Sequence, residues 1–413
     1  MNAPPSPLLS VADALARILT TAPRPLETQR ASLRAAVGRT LAEEVPALRT
    51  QPPFSASAMD GYAVRAADAG AIPARLRVVG MSSAGHGYRG AIGAGEAVRI
   101  FTGAPLPPGA DAIVLQEDTR AEGDRVIVLE AATPGRHIRP AGLDFKAGEP
   151  LLRAGTRLGP REVALAAAMN HADLPVVRRP RVAILATGDE LVMPGEAPGP
   201  DQIVASNGFG LAAMVEWSGG EAIDLGIALD TFAALEAGLA AARSAKADVL
   251  VTLGGASVGD HDLVQSALAR EGMQLGFWKI AMRPGKPLMH GRLGDMRVLG
   301  LPGNPVSSIV CGLIFVRPLV RALLGDPSAG ADPTEPARLG ADVKANDSRQ
   351  DYLRARLDDG GEGLPIAVPQ PRQDSSMLGV LAAADCLLLR PPHAPAAAAG
   401  DACRIIRFDR FGM

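Results

Sequence analysis

The pattern of apolar and polar positions predicts three helices in the first half of the chain. Apolar residues recur at helical spacing over residues 8–18, where Ser10 and Asp13 can form a capping box. Residues 28–45 are predicted to form a second helix, and a third is predicted near 160–169. Between the second and third helices the periodicity changes, which indicates a separate unit.

That unit, residues 46–144, contains short strand-like runs separated by Gly- and Pro-containing turns. The predicted strands cover residues 75–79, 97–101, 112–115 and 125–129. The pattern therefore predicts a small β domain inserted into a helical and linker segment made of residues 1–45 and 145–178.

From Pro180 onward, short apolar runs alternate with helical stretches, which is typical of a parallel sheet covered on both faces. The predicted strands are 182–186, 222–227, 249–253 and 297–301, and the predicted helices are near 208–217, 231–243, 262–271 and 305–324. The pattern assigns residues 179–327 to an α/β domain.

After Gly325 the pattern is β-like again, with candidate strands at 343, 352–357, 366–368, 386–389 and 403–408, so residues 328–413 are predicted to form a C-terminal β domain. The predicted fold class is multidomain α/β plus β.

Composition narrows the function further. Of 413 residues, 47% are hydrophobic and 21% are charged, while Gly (46) and Pro (35) are abundant, which favours several packed cores and ligand sites lined by backbone. The net charge of −2, without long blocks of one sign, argues against a broad nucleic-acid surface. The three cysteines are scattered, and no segment reaches the ~18 uninterrupted apolar residues that a membrane span needs. We expect a soluble cytoplasmic protein.

Two glycine-containing turns follow predicted strands and precede predicted helices, where an open α/β sheet binds ligands. The first contains Gly254, Gly255, Ser257 and Gly259, and the second contains Pro302, Gly303, Asn304 and Ser307. The first turn has two competing interpretations. It is either a plain tight turn or, through its GxSxG pattern, a hydrolase nucleophile elbow in which Ser257 would act with Asp262 and His290. For Ser307, a helix-capping role is the alternative.

Charged residues follow the same predicted strand ends. Glu190, Asp230 and Asp262 suggest a divalent cation between carboxylates and a phosphorylated ligand, although Asp230 or Thr231 could simply cap a helix.

Lysines are rare, yet Lys279 and Lys286 lie within eight residues, and Lys286 shares a Pro-Gly turn with Arg283. We interpret that turn as an anion-binding element, with solvated surface charge as the alternative.

Six stretches together resemble the molybdopterin molybdenumtransferase family, which includes bacterial MoeA and the E domain of gephyrin. They are SAMDGYAV, RIFTGAPLPPGADAIVLQE, RRPRVAILATGDEL, GGASVGDHD, RPGKPL and LPGNPVSS, in this order between residues 57 and 308. The resemblance implies the final step of molybdenum cofactor synthesis, in which adenylylated molybdopterin and molybdate give the cofactor and AMP. It also implies a central molybdopterin-binding α/β domain, a C-terminal β-barrel-like domain, a homodimer and a divalent cation, usually Mg²⁺.

The resemblance assigns roles to individual residues. Active-site polar residues would be Asp60, Thr102, Glu190, Asp230 and Asp262, of which Glu190, Asp230 and Asp262 would hold the metal. The turns just described would bind substrate, and the molybdate-side set would be Arg283, Lys286 and Ser307, with Arg354 and Ser376 from the last domain; Ser375 competes with Ser376. Asp60 would act across the dimer interface, and residues 1–45 with 145–178 would take part in dimerisation.

Three positions depart from the family pattern. Arg283 replaces a usual Lys, Leu143 stands where an acidic residue normally precedes Asp144, and Ala205 replaces a usual Asp. Two other functions remain open: a non-catalytic molybdopterin carrier or scaffold, and a serine hydrolase using Ser257. The family's place in cofactor synthesis implies transient contact with molybdopterin adenylyltransferase and molybdoenzyme chaperones, and neither nucleic acid nor membrane as a partner.

Overall fold

A computed structural model of the chain describes residues 8–255, 263–360 and 363–413. The first helix is α1 (Val11–Leu19), and Ser10 caps it, because its Oγ accepts a hydrogen bond from the Asp13 backbone N–H at 3.0 Å. The buried side chains of Val11, Ala14 and Ile18 pack into the core of the α/β domain. The helix and its cap confirm the prediction from the periodicity.

The helix predicted over residues 28–45 is wrong. That stretch forms β1 (Thr28–Ser32), the single-turn α2 (Leu33–Ala36) and the start of β2 (Val45–Pro46). β1 pairs antiparallel with Asp173–Val177, and this pairing between residues distant in sequence overrides the local helical spacing.

The inserted β domain contains a six-stranded sheet whose spatial order is β7-β4-β6-β5-β9-β8, with β3 paired to β10 beside it. All four strands predicted in this region are present. In chain order the strands are β3 (Ala56–Ser57), β4 (Gly61–Val64), β5 (Ala74–Ser82), β6 (Glu96–Ile100), β7 (Ala112–Leu115), β8 (Thr119–Glu122), β9 (Arg125–Val128) and β10 (Ile138–Arg139).

After the insertion, the chain returns to the first segment. β11 (Pro150–Leu152) pairs with β2, α3 (Pro160–Ala168) follows as predicted, and β12 (Asp173–Val177) pairs with β1. The two halves share one apolar core that includes Leu41, Phe145 and Leu174. This arrangement agrees with an insertion, while the domain boundaries themselves stay predictions.

The α/β domain is built around a six-stranded sheet in the order β16-β13-β17-β21-β20-β18. The first four strands are parallel, as predicted, whereas β20 and β18 are antiparallel additions. The elements are β13 (Arg181–Thr187), β14 (Leu191–Val192), β15 (Ile203–Val204), α4 (Asn207–Trp217), β16 (Glu221–Ala228), α5 (Phe232–Ser244), β17 (Val249–Leu253), α6 (Leu263–Arg270), β18 (Gln274–Trp278), β19 (Met282–Arg283), β20 (Met289–Leu293), β21 (Met296–Leu301), α7 (Pro305–Cys311) and α8 (Arg317–Leu323).

A π-helical turn, Gly312–Val316, joins α7 and α8 into one continuous helix. This helix, Pro305–Leu323, is long and apolar enough to span a membrane by composition, but 89% of its apolar window is buried inside the fold. It packs with α1 and α4 in the main core, which accounts for its apolar character.

The C-terminal domain is a closed five-stranded barrel. Its strands pair around a ring in the order β23-β24-β22-β26-β25 and back to β23. Its elements are β22 (Glu335–Leu339), β23 (Gln350–Asp358), β24 (Ile366–Pro369), α9 (Leu378–Ala382), β25 (Cys386–Arg390) and β26 (Ala402–Arg407). β22 escaped the sequence analysis, and Val343 forms only an isolated bridge to Ala397.

The α/β domain and the barrel are joined by a strand pair. β19 runs parallel to β23, with Met282 opposite Gln350 and Arg283 opposite Asp351. The turn that follows β19 is therefore attached to the barrel as well as to its own domain.

Candidate active site

A cavity of about 740 Å³ lies at the carboxyl ends of β13, β17 and β21, where a barrel loop approaches the α/β domain. It brings together eight of the residues singled out from the sequence: Glu190, Asp230, Gly254, Gly255, Pro302, Gly303, Asn304 and Ser376. The position agrees with the expectation that ligands bind at this edge of an open α/β sheet.

Two glycines after β17 bring the backbone itself to the cavity. Gly254 has φ +101° and Gly255 φ +64°, in the left-handed region that glycine adopts most readily. A Cβ on Gly254 would lie 2.7 Å from the Thr187 carbonyl oxygen, and one on Gly255 would lie 2.1 Å from Val264 Cγ2. Only glycine fits either position. Ser257, Gly259 and Asp262, predicted in the same turn, lie outside the described residues.

The second turn, Pro302–Asn304, is fixed from two sides. Asn207 Nδ2 donates to the Gly303 carbonyl at 2.7 Å, and Asn304 Nδ2 donates to Ser375 Oγ of the barrel loop at 3.0 Å. The backbone N–H of Val306 also donates to the Ser375 carbonyl at 3.0 Å. Ser307 is buried on α7 and is not among the lining residues; the helix begins after Asn304, so Ser307 does not cap it.

Two carboxylates, those of Glu190 and Asp230, also line the cavity. Thr231, not Asp230, caps α5, because its Oγ1 accepts from Ala234 N at 3.2 Å. The Asp230 backbone N–H donates to Asp189 Oδ1 at 2.9 Å. Burial, together with the charges of Asp189 and Glu190, raises the pKa of Asp230 above its usual value. Within residues 8–255, 263–360 and 363–413, no three His, Cys, Asp or Glu side chains gather into a group that could hold a metal ion.

The predicted cations lie apart from the cavity lining. Lys286 is exposed, whereas the Arg283 guanidinium donates to Asp351, Asp347 and Asn346, residues before and in β23. Arg354 is only 1% exposed, and burial lowers its pKa. Its Nη2 donates to the Asp374 carbonyl at 3.0 Å, and no partner for its Nε is found in the described part of the chain.

The barrel loop distinguishes the two candidate serines. Ser376 lines the cavity, and its Oγ donates to Asp374 Oδ1 at 2.6 Å. Ser375 instead bonds to the second turn through its Oγ and its carbonyl. Ser376 is therefore the serine placed to meet a ligand.

Asp60 and Thr102 lie together on the inserted domain. Asp60 Oδ1 accepts from the Thr102 backbone N–H at 2.7 Å and from its hydroxyl at 2.8 Å, and these bonds lower the pKa of Asp60. Beside them, Arg99 stacks on Tyr62 and Phe101 and donates to the Gly61 carbonyl. The described residues that line the cavity include none from this domain.

Comparison with known proteins finds relatives over most of the chain. Three family descriptions match the chain: the MoeA N-terminal region (domain I and II) over residues 9–170, a probable molybdopterin binding domain over 183–322, and the MoeA C-terminal region (domain IV) over 336–408. The molybdopterin molybdenumtransferase of Nostoc sp. is 39% identical over 365 residues, covering 86% of this chain and 83% of the relative. The chain belongs to the MoeA family.

Other MoeA relatives extend the match to the whole fold. The molybdopterin molybdenumtransferase of Haemophilus influenzae is 37% identical over 348 residues, covering 84% of this chain and 85% of the relative. The crystal structure of the molybdopterin biosynthesis MoeA protein from Pyrococcus horikosii superposes with a TM-score of 0.83 at 31% identity, covering 97% of this chain and 99% of that one. These matches confirm the predicted family and the predicted multidomain fold.

Three polar side chains that line the cavity were not predicted as site residues from the sequence: Thr187, Ser206 and Asn207. Asn207 begins α4 and holds the second turn, and Ser206 Oγ donates to Asn207 Oδ1 at 3.3 Å. The sequence signal that identifies Ser206 and Asn207 is a Ser-Asn pair that follows a strand and begins a helix. Of the departures from the family pattern, Ala205 lines the cavity and Leu143 is exposed.

The hydrolase alternative receives no support from His290. This histidine is 3% exposed, lies within β20, and its Nδ1 bonds to the Val298 carbonyl at 3.1 Å. Its ring packs against Phe277 and is absent from the described lining of the cavity. In a serine hydrolase, the catalytic histidine must lie within hydrogen-bonding reach of the nucleophilic serine.

Proposed function

We propose that this chain is a molybdopterin molybdenumtransferase, which converts adenylylated molybdopterin and molybdate to molybdenum cofactor and AMP. The observation that carries the proposal is the pair of glycine-containing turns at one sheet edge, which line a single cavity together with two carboxylates. A backbone that approaches without a Cβ suits the phosphates of the substrate, and the two carboxylates suit a bound cation.

For the cation we propose Mg²⁺, with other divalent ions as alternatives. Mg²⁺ prefers hard oxygen ligands and is commonly held by one or two carboxylates together with substrate phosphates. Glu190 and Asp230 both line the cavity, where burial, together with the charges of Asp189 and Glu190, raises the pKa of Asp230. These residues fit the ion, with Asp262 proposed as a further ligand. When bound, the cation would neutralise charge on the phosphates.

We assign the molybdate side to Lys286, Ser307, Arg354 and Ser376. Lys286 supplies an exposed ammonium and Arg354 a guanidinium with an unpaired buried N–H, both suited to an oxyanion. The contribution of these residues is positioning and charge neutralisation.

We further propose that the enzyme works in the cytoplasm as a homodimer and meets molybdopterin adenylyltransferase and molybdoenzyme chaperones transiently. Asp60 and Thr102 are bonded to each other on a domain that contributes nothing to the described cavity lining of its own chain. A second copy would bring this pair to the cavity, which is how the inserted domain takes part in the reaction.

The test is a reaction of the purified protein with adenylylated molybdopterin, with and without molybdate. We expect AMP release that depends on Mg²⁺, and cofactor formation that depends on molybdate as well, measured by chromatography and by activation of a cofactor-free molybdoenzyme. Glu190→Gln should reduce both, and Glu335→Gln, on the barrel strand β22, should reduce neither. Substrate that binds and is recovered unchanged would identify a carrier instead.

A further inference from the structure

Arg283 already uses its guanidinium within the protein. Its Nε donates to Asp351 Oδ1 at 2.8 Å and its Nη2 to Asp351 Oδ2, which is a bidentate pair. Its Nη1 also donates to Asp347 Oδ2 at 3.3 Å, and its Nη2 to Asn346 Oδ1 at 3.1 Å. Four of the five guanidinium N–H groups are therefore used within the described part of the chain, which leaves one N–H on Nη1.

The partners of Arg283 are themselves held in place. Asp351 is 4% exposed and lies on β23, where a carboxylate without its cation would be costly. Asn346 Nδ2 donates to three backbone carbonyls, and Asp347 accepts from Arg349. The three residues that accept from Arg283 are therefore tied to the barrel by hydrogen bonds or by burial.

Arg283 and Asp351 are each connected to residues that we assign to the molybdate side. On one end, Arg283 starts the turn that carries Lys286, and the Lys286 carbonyl accepts from the backbone N–H groups of Ile280 and Leu288, which closes the turn. On the other end, Asp351 is three residues before Arg354 on β23, and Arg354 bonds to the loop that places Ser376 at the cavity.

We propose that Arg283 is a positioning residue that locks β19 to β23 through Asp351, and so sets the distance between Lys286 on one domain and Arg354 on the other. Arg283 does not itself bind the oxyanion. The inference deepens the proposed function and rests on it. An Arg suits this role better than a Lys, because a planar fork can satisfy both carboxylate oxygens at once.

The test measures kcat and half-saturating molybdate for Arg283→Ala, Asp351→Asn and the double variant. We expect each single variant to raise half-saturating molybdate about tenfold, corresponding to about 1.4 kcal/mol, with little change in kcat. The double variant should be no worse than either single one, because both changes break the same pair. Arg283→Lys should recover part of the loss.

The matched control is Arg404→Ala, which removes another barrel arginine that bonds to Asp332 and Thr334, and it should leave half-saturating molybdate unchanged. Thermal unfolding of each variant shows that the measured protein is folded, and Asp351→Asn, which keeps the side-chain shape, serves if Arg283→Ala does not fold. Additive losses, or tighter molybdate binding in Asp351→Asn, would mean that Arg283 contacts the oxyanion and would overturn the proposal. No AMP release from the unaltered protein would instead refute the proposed function.

Discussion

The two walls of the cavity are built by different means. Part of the α/β wall is backbone, at Gly254, Gly255 and Gly303, whereas the barrel contributes the hydroxyl of Ser376, supported by Asp374. A backbone wall is set by the conformation of one domain, and at Gly254 and Gly255 it leaves no room for an added Cβ. A side-chain wall depends on how a second domain is docked. We therefore expect a substitution in the backbone wall to cause a large loss of activity. Substitutions that weaken the docking of the barrel should cause smaller losses that scale with the contacts removed.

The largest expected effect is that of Gly254→Ala. Positive φ costs a non-glycine residue about 1–3 kcal/mol, and the new Cβ would lie 2.7 Å from the Thr187 carbonyl oxygen. We expect the free energy of unfolding to fall and AMP release to drop about a hundredfold, since small misplacements can cost that much.

Gly272→Ala is the control for backbone strain alone. Gly272 has φ +88° but no atom within 4 Å of an added Cβ, so stability should fall while AMP release stays normal. Urea unfolding and chromatographic detection of AMP measure both quantities. Normal AMP release in Gly254→Ala would refute the idea of a backbone wall.

The second prediction extends the comparison to the inserted domain. Asp60→Asn and Asp230→Asn should each lose activity when purified alone. If Asp60 serves the cavity of a second copy, mixing the two after exchange of subunits should restore roughly a quarter of the normal sites. AMP release before and after mixing measures this, and no recovery despite proven subunit exchange would place both residues in the same subunit's site.

A smaller effect is expected at the contact between the walls. Asn304→Ala removes the bond to Ser375 Oγ but leaves the bond between Val306 N–H and the Ser375 carbonyl. One neutral hydrogen bond contributes about 0.5–1.5 kcal/mol, so half-saturating substrate should rise only a few-fold. Ser375→Ala should match it, and a loss as large as that of Gly254→Ala would contradict the graded response.

The smallest effect on activity is expected for His290→Asn, which should release AMP normally because His290 lies away from the cavity. Burial lowers the pKa of His290, so the unfolded chain takes up its proton first, and stability falls as the pH drops below about 6.5. The variant should lose less stability than the unaltered protein between pH 7.5 and 5.5, measured by urea midpoints. A loss of AMP release in folded His290→Asn would return the hydrolase alternative to consideration.

The backbone wall was predictable from the sequence because its signals are local. Glycines directly after an apolar strand, and a Pro-Gly-Asn turn before a helix, mark ligand-binding edges without knowledge of distant contacts. The strands 28–32 and 335–339 were not predictable in this way, since each is defined by pairing with residues far along the chain. The partners of Arg283 could not be foreseen for the same reason, because Asp351 lies 68 positions away.

Asn304 Nδ2 and the Val306 backbone N–H both donate to Ser375, so one rim of the cavity is formed jointly by the α/β domain and the barrel. A molecule held against both walls would act as a non-covalent cross-link between the α/β domain and the barrel. By mass action, it would stabilise the docked arrangement as well as each fold. Saturating substrate should therefore raise the unfolding temperature of the two domains together, so the heat-capacity trace of the protein would report occupancy of the cavity.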